Sequence, residues 1–169
     1  MADDLEPRSP KRSAERQPGP PRGSAEPGES GVFQTGSEAD TEAAGERLGR
    51  LLAPGDVVML FGDLGAGKTA FVRGMARGIG ADPEDVSSPT FTIVQEYTGR
   101  SATLYHVDLY RLEPAEIDDL GLEDLVSTDG IVAIEWADRW KGRPDDVIEV
   151  WLEHAGEDRR TIDVRSPVT

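Results

Sequence analysis

The amino-acid sequence predicts a three-layer α/β domain built around a mixed central sheet. The first observation is an apolar run of strand length, Val57–Phe61, that leads through a glycine-rich turn directly into a helical pattern. The second is another apolar strand, Ile131–Glu135, which ends in an acidic residue. The third is a pair of hairpin patterns, which require antiparallel neighbours beside strands that alternate with helices. Together they favour a sheet covered on both faces.

The first half of the domain reads as alternating strands and helices. A short strand over residues 32–35 comes before a helix that Ser37 or Asp40 caps, because apolar residues recur there at helical spacing. Pro54 and Gly55 end this helix. The buried strand follows, and the helix behind the glycine-rich turn ends at the glycines near residue 80.

The second half carries the hairpins. Residues 91–97 and 102–108 alternate as strands around a short turn, and residues 114–126 read as short acidic helices. After the strand at 131–135, residues 147–153 and 161–165 form a closing antiparallel hairpin. The hairpins predict that antiparallel strands join the central strands in one mixed sheet.

Composition separates a tail from the folded domain. Residues 1–30 are rich in Pro, Gly, Ser, Arg and Glu, and too few large apolar side chains are present to offset the entropy of ordering. We predict a disordered tail over 1–30 and one domain over 31–169. The tail holds six acidic and five basic residues, so about −14 of the net charge of −15 belongs to the domain. A surface of this charge repels the phosphate backbone of nucleic acid.

Several classes of protein are excluded by simple counts. The chain has no cysteine, which rules out disulfides and thiolate metal sites. No apolar run approaches the ~20 residues of a membrane-spanning helix. The N-terminus also lacks the apolar core of a signal peptide. These features favour a cytoplasmic protein that has no contact with the membrane.

The glycine-rich turn matches G-x-x-x-x-G-K-[ST], the phosphate-binding P-loop. Such a loop aims backbone N–H groups at an anion from a helix N-terminus. We expect Lys68, as an exposed loop cation, to contact the β- and γ-phosphates, and the Thr69 hydroxyl to bind Mg²⁺. The domain is therefore P-loop NTPase-like, and its candidate nucleotide-binding residues are Gly62, Asp63, Leu64, Gly65, Ala66, Gly67, Lys68 and Thr69.

Two carboxylates complete a candidate catalytic set with Lys68. Asp108 and Glu135 both end apolar strands, so they should lie at the same sheet edge as the P-loop. Glu135 is the better match to a metal-binding Walker B carboxylate, although either acid could be the dominant ligand. Trp136 either forms a wall of the nucleotide site or fills the core, and His106 is a supporting residue behind the acids.

Residues 87–92 are typical of a nucleotide-sensing switch, in which the Thr90 hydroxyl would face the γ-phosphate. The nucleotide itself is predicted to be ATP. Guanine is usually read by an Asn-Lys-x-Asp contact, and this chain contains no asparagine. ATP and Mg²⁺ are therefore the expected cofactors.

Five motifs in the same order resemble one bacterial family. They are GDLGAGKT at 62–69, SPTFTIVQEY at 88–97, HVDLYRL at 106–112, GLEDL at 121–125 and IEW at 134–136. Together they resemble the tRNA threonylcarbamoyladenosine biosynthesis ATPases of the TsaE family, formerly YjeE. The resemblance extends over about residues 37 to 140 and does not include the tail or the closing hairpin.

The resemblance implies a small ATPase that acts with TsaD and TsaB, which place a threonylcarbamoyl group on adenosine 37 of tRNAs that read codons starting with A. It implies that Thr69 and Glu135 hold Mg²⁺ with Asp108 nearby, and that Arg159 or Arg160 approaches the nucleotide. Contact with tRNA would then be indirect, through the partners. Two alternatives stay open: a small-molecule kinase whose lid would be residues 140–143, and a scaffold that binds ATP without hydrolysing it.

Overall fold

The computed structural model describes residues 30–87 and 93–167. In this part of the chain one sheet contains seven strands. In chain order they are β1 (Gly31–Thr35), β2 (Val57–Phe61), β3 (Val94–Thr98), β4 (Thr103–Asp108), β5 (Ile131–Glu135), β6 (Ile148–His154) and β7 (Arg160–Arg165). The predicted tail lies almost entirely outside the described residues, as does most of the predicted switch, including Thr90.

Four α-helices and two short 3₁₀ turns connect the described strands. The helices are α1 (Glu38–Leu51), α2 (Lys68–Gly78), α3 (Pro114–Asp119) and α4 (Leu122–Val126), and the 3₁₀ turns are Pro83–Asp85 and Ala137–Arg139. Ser37 caps α1, because its side chain accepts a hydrogen bond from the Asp40 amide. None of the helices in the described ranges has the length and apolar character needed to cross a membrane.

The sheet is mixed, as the sequence predicts. Its strand order is β1-β7-β6-β2-β5-β4-β3. The four central strands β6, β2, β5 and β4 run parallel, and the pairs β3–β4, β6–β7 and β1–β7 are antiparallel. Both predicted hairpins are therefore confirmed, and each extends one side of the parallel centre.

The sheet is covered on both faces by two separate apolar clusters. One joins the sheet to α1 and α2 through residues such as Leu48, Phe71 and Met75. The other joins the opposite face to α3, α4 and the second 3₁₀ turn through residues such as Ile117, Leu122 and Ala137. The fully buried strands β2 and β5 lie between these clusters, which explains why both read as continuous apolar runs. The three-layer prediction is confirmed.

Helix α2, which begins in the P-loop, packs closely against α1. Glycines face each other at the contact: Gly45 and Gly49 on α1, and Gly74 and Gly78 on α2. A Cβ atom at Gly74 would lie 1.9 Å from the carbonyl oxygen of Glu42, and one at Gly45 would lie 2.0 Å from that of Phe71. The two backbones are therefore too close for any side chain between them.

Replacing Gly74 by alanine is expected to destabilise the protein by about 3 kcal/mol, because backbone atoms of two packed helices must separate to admit the methyl group. A thermal melt should show a fall in Tm of about 10 °C. Gly36→Ala is the control, since a Cβ there meets its nearest heavy atom, in the Asp40 carboxylate, at 3.4 Å. Equal melting temperatures for the two variants would contradict the close packing of α1 on α2.

Candidate active site

The candidate site lies at the carboxyl edge of the parallel strands. The P-loop follows β2, and Asp108 and Glu135 are the last residues of β4 and β5. Asp108 and Glu135 are also paired in register across these two neighbouring strands. The parallel topology thus brings the predicted catalytic acids side by side, at the edge where open α/β sheets bind their ligands.

The P-loop has the backbone geometry that its glycines allow. Gly62 approaches β6 so closely that a Cβ atom would lie 2.4 Å from the carbonyl oxygen of Leu152. Gly67 has φ of 100° at the N-terminus of α2, a left-handed conformation that side chains disfavour. It also offers no side chain to cap the helix. The loop thus leads into α2 with the backbone conformation that the motif predicts, at a helix N-terminus whose first-turn N–H groups are suited to binding an anion.

Lys68 is buried, with 5% of its surface exposed. The prediction of an exposed loop cation is therefore wrong, because Lys68 is the first residue of α2 and the Trp136 indole covers its ammonium. Its ammonium donates to the carbonyls of Gly62 and Asp63. Burial lowers the pKa of Lys68 below its ordinary value, while the negative charges of Glu135 and Asp108 act in the opposite direction.

Glu135 is held at both carboxylate oxygens. Thr69 Oγ1 donates to Oε1 at 3.2 Å, and His106 Nε2 lies 2.6 Å from Oε2. His106 is fully buried, and its Nδ1 has no hydrogen-bond partner among the described residues. We assign the ring hydrogen to Nε2, because this leaves an unpaired acceptor at Nδ1 rather than an unpaired donor. His106 thereby supports Glu135 from behind, as the sequence indicates.

Thr69 and Glu135 offer oxygen ligands with a separation that suits Mg²⁺. Neighbouring ligands of an octahedral Mg²⁺ lie about 3.0 Å apart when each is ~2.1 Å from the metal, and these two oxygens are 3.2 Å apart. The described ranges hold no group of three His, Cys, Asp or Glu side chains arranged for a metal ion. Mg²⁺ in phosphate-transfer sites commonly uses one or two protein ligands together with phosphate oxygens and water.

Trp136 contributes to the site directly. Its backbone has φ of 59°, which is unusual for a bulky residue and is the kind of strain found at functional sites. The indole lies over the Lys68 ammonium, with 4.1 Å between Nζ and the ring centroid. It also packs on the ring of Tyr110, and the two ring centroids are 4.8 Å apart. Trp136 lines the cleft and also packs against the apolar cluster on that face of the sheet, so the two roles considered for it do not exclude each other.

Asp108 is held by the loop that follows it. The Tyr110 amide donates to Asp108 Oδ1 at 2.9 Å, and the Leu109 amide donates to the carbonyl of Glu135 at 3.2 Å. These bonds connect the chain after β4 to the end of β5. The two acids consequently belong to one hydrogen-bonded edge.

Arg160 reaches the P-loop from the closing hairpin. Its Nη2 donates to the carbonyl of Gly65 at 3.2 Å, and its Nη1 donates to the carbonyls of Glu157 and Arg159. Of the two arginines considered, Arg160 lines the cleft. The carbonyl contact holds its guanidinium beside the phosphate-binding loop.

These groups surround one cleft of about 630 Å³, a size typical of small-molecule sites. Most of the predicted site residues line it, namely Leu64, Gly65, Gly67, Lys68, Thr69, Asp108, Glu135, Trp136 and Arg160. Gly62 and Asp63 contact Lys68 from within the loop, and Ala66 is buried. Residues 140–143, considered as a lid, do not line the cleft, and Trp140 is buried in the core.

Sequence reasoning missed several residues of this region, among them Tyr110, Arg73 and Arg139. Tyr110 packs on Trp136, and Arg73 on α2 lines the cleft while it donates to Glu38 and Glu42. The guanidinium of Arg139 donates to backbone carbonyls of the loop after β4. The HVDLYRL motif contains Tyr110, so the motif itself was a signal for that residue. Arg73 and Arg139 have no local pattern that marks them.

Comparisons with known proteins agree with this architecture. The family model described as threonylcarbamoyl adenosine biosynthesis protein TsaE matches residues 35–162. Proteins named tRNA threonylcarbamoyladenosine biosynthesis protein TsaE are similar: that of a Nostoc species is 44% identical and that of Bacillus subtilis 40% identical. The matches cover 75% and 77% of this chain, and 82% of each relative.

The crystal structure of Bacillus subtilis YdiB is also similar. It superposes with a TM-score of 0.68 at 32% identity, over 83% of this chain and 87% of YdiB. The family match extends into the closing hairpin, beyond the region that carries the sequence motifs. The chain therefore belongs to the TsaE family of tRNA threonylcarbamoyladenosine biosynthesis proteins.

Proposed function

We propose that this protein is the Mg²⁺-dependent ATPase subunit of the machinery that forms N6-threonylcarbamoyladenosine at position 37 of tRNAs reading A-starting codons. The observation that carries the proposal is the 3.2 Å contact between Thr69 and Glu135, because it joins the P-loop helix to the end of a neighbouring strand. That pair would supply two oxygen ligands to a nucleotide-bound Mg²⁺, and phosphate oxygens and water would supply the others.

Each group in the cleft has a role in binding the triphosphate. The N–H groups of the P-loop and the first turn of α2 bind the phosphate oxygens, and Lys68 exchanges its carbonyl partners for the β- and γ-phosphates. Trp136 covers that ammonium and excludes water from it. Arg160, already beside Gly65, adds positive charge at the open side of the loop.

The chemical step is the hydrolysis of ATP to ADP and phosphate. Bound Mg²⁺ would neutralise charge that develops on the transferred phosphoryl group. Glu135 is kept in one orientation by Thr69 and His106, and Asp108, its neighbour in register, orients the attacking water. Water is both nucleophile and proton source, so the site needs no second organic substrate.

The kinase alternative has less support from the geometry. A kinase of this size would close an arginine-bearing lid over its acceptor. The guanidinium of Arg143 instead lies 5.4 Å from the ring centroid of Phe61, and Trp140 is in the core. Adding small acceptors such as shikimate or nucleosides should therefore not accelerate the release of ADP.

Partners are expected at the mouth of the cleft. Leu64 on the P-loop is 75% exposed and Tyr110 is 42% exposed, and both line the opening. Exposed apolar residues beside a nucleotide are suited to a protein partner whose contact depends on the nucleotide state. We propose TsaD and TsaB as those partners, with tRNA bound through them and not by this acidic domain.

Size-exclusion chromatography with TsaD and TsaB, in the presence of ATP, ADP or no nucleotide, tests this proposal. We expect a complex whose stability differs between ATP and ADP, and ATP hydrolysis that is slow alone and changes when the partners are added. The isolated protein should not bind tRNA at physiological salt. A complex indifferent to nucleotide, or direct binding of tRNA, would contradict the proposed mechanism.

A further inference from the structure

We infer that Arg139 is a positioning residue for the Asp108 carboxylate, and that it acts through the peptide bond between Leu109 and Tyr110. The inference rests on the proposed function, because it assigns a residue to the ATPase site. The contacts on which it rests are nevertheless present without a nucleotide. Arg139 lies outside the P-loop, outside the acid pair and outside every motif that the sequence offered.

The contact is a convergence of backbone carbonyls on one guanidinium nitrogen. Nη1 of Arg139 donates to the carbonyl oxygens of Leu109 at 3.2 Å and Leu112 at 3.1 Å, and also to that of Tyr110. These three carbonyls belong to one short loop, which begins directly after Asp108. Hydrogen bonds from a charged donor are stronger than those between neutral groups, so the loop is held at several points.

One peptide plane connects this guanidinium to the carboxylate. The carbonyl of Leu109 and the amide of Tyr110 are the two ends of a single planar unit. Arg139 donates to the carbonyl end at 3.2 Å, and the amide end donates to Asp108 Oδ1 at 2.9 Å. Because the unit is rigid, a rotation at the carbonyl end must also redirect the N–H that holds Asp108.

The same arrangement keeps Asp108 in register with Glu135. The left-handed backbone of Trp136 turns the chain after β5 into the 3₁₀ turn that carries Arg139. The Arg139 amide donates to the carbonyl of Trp136 at 3.0 Å, and the Leu109 amide donates to the carbonyl of Glu135 at 3.2 Å. Arg139 is thus connected through backbone groups both to the loop that holds Asp108 and to the turn that follows Glu135.

Arg139 is suited to a test by mutation because it is exposed and contributes no side chain to either core cluster. Arg139→Met removes the donors, and Arg139→Lys keeps a cation that can bond one or two carbonyls. Arg50→Met is the matched control, since Arg50 is 66% exposed and pairs only with Glu46 on its own helix among the contacts described. All three variants should fold, and Arg139→Met should melt a few degrees below the wild type because it loses the hydrogen bonds of a charged donor to three loop carbonyls.

The first measurement is hydrogen exchange of the Tyr110 amide by NMR in the free protein. We expect exchange about 10-fold faster in Arg139→Met, an intermediate value in Arg139→Lys and no change in Arg50→Met, because the peptide loses its anchor. An unchanged Tyr110 amide in Arg139→Met would overturn the inference. This measurement needs no ATP, so it tests the contact between Arg139 and the loop even if the proposed function is wrong.

The second measurement is a double-mutant cycle with Asp108→Ala in single-turnover ATP hydrolysis. Arg139→Met alone should slow turnover about 10-fold and leave ATP affinity within about twofold, because Asp108 acts on the chemical step. In the Asp108→Ala background the same change should have no further effect. If Arg139→Met slowed turnover equally in both backgrounds, Arg139 would not act by positioning Asp108. If the wild-type protein did not hydrolyse ATP, the proposed function would be refuted instead.

Discussion

Replacing Lys68 by methionine is expected to lower the affinity for ATP by about 100-fold or more and to leave the protein folded. The wild-type ammonium is placed to make two charge-assisted hydrogen bonds to phosphate, each worth ~1.5–3 kcal/mol, and about 1.4 kcal/mol is a tenfold change in affinity. Burial lowers the pKa of Lys68, which means that its charge is costly to bury. A neutral side chain of similar length removes that cost, which offsets the loss of the hydrogen bonds to the carbonyls of Gly62 and Asp63, so the protein should stay folded.

Calorimetric titration with ATP, beside a thermal melt, measures both parts of this result. Lys141→Met is the control, because Lys141 is exposed, does not line the cleft and loses the same charge. The control should bind ATP as the wild type does. If Lys68→Met kept wild-type affinity, the assignment of the loop to phosphate binding would be wrong.

Replacing Glu135 by glutamine is expected to reduce Mg²⁺-dependent turnover by about 100-fold or more while ATP still binds through the P-loop. Glutamine preserves the shape of the side chain but not the negative charge that a metal ligand provides. Glu135 is 3% exposed and bonded to Thr69 and His106, so the isosteric change limits the disturbance of the core.

Turnover as a function of Mg²⁺ concentration distinguishes the two acids. Glu135→Gln should require much more Mg²⁺, Asp108→Asn should lower the rate with a smaller change in Mg²⁺ dependence, and Glu153→Gln should resemble the wild type because Glu153 is exposed outside the cleft. If Asp108→Asn raised the required Mg²⁺ concentration more than Glu135→Gln does, Asp108 would be the dominant ligand.

The elements that could be predicted from sequence are those with a local pattern. Alternating strands around short turns identified both hairpins, and the run Val57–Phe61 before the P-loop identified a buried central strand. The acids Asp108 and Glu135 were predictable as a pair because parallel strands end at one edge. The sequence could not decide whether Ser37 or Asp40 caps α1, because both residue types are suited to a helix start. The structure shows that Ser37 is the cap.

What the sequence did not predict depends on contacts between distant segments. Lys68 reads as an exposed cation, yet it is buried with the distant Trp136 indole over its ammonium. The strained backbone of Trp136 has no sequence signal, because a left-handed residue is usually glycine. Arg139 donates to backbone carbonyls, which every residue possesses, so no partner residue type could reveal the contact. The hydrogen bond from Arg160 to the carbonyl of Gly65 has no sequence signal for the same reason, although both residues were predicted to belong to the site.

Binding of ATP to the wild-type protein with and without Mg²⁺ tests the central claim most directly, and it is the reference titration for the Lys68 variant. We predict one ATP bound per chain, tighter with Mg²⁺ present because Thr69 and Glu135 then hold the metal on the triphosphate. A titration that fits one ATP site per chain, with a higher affinity in the presence of Mg²⁺, would agree with the account. No binding of ATP at millimolar concentration, with or without Mg²⁺, would contradict it.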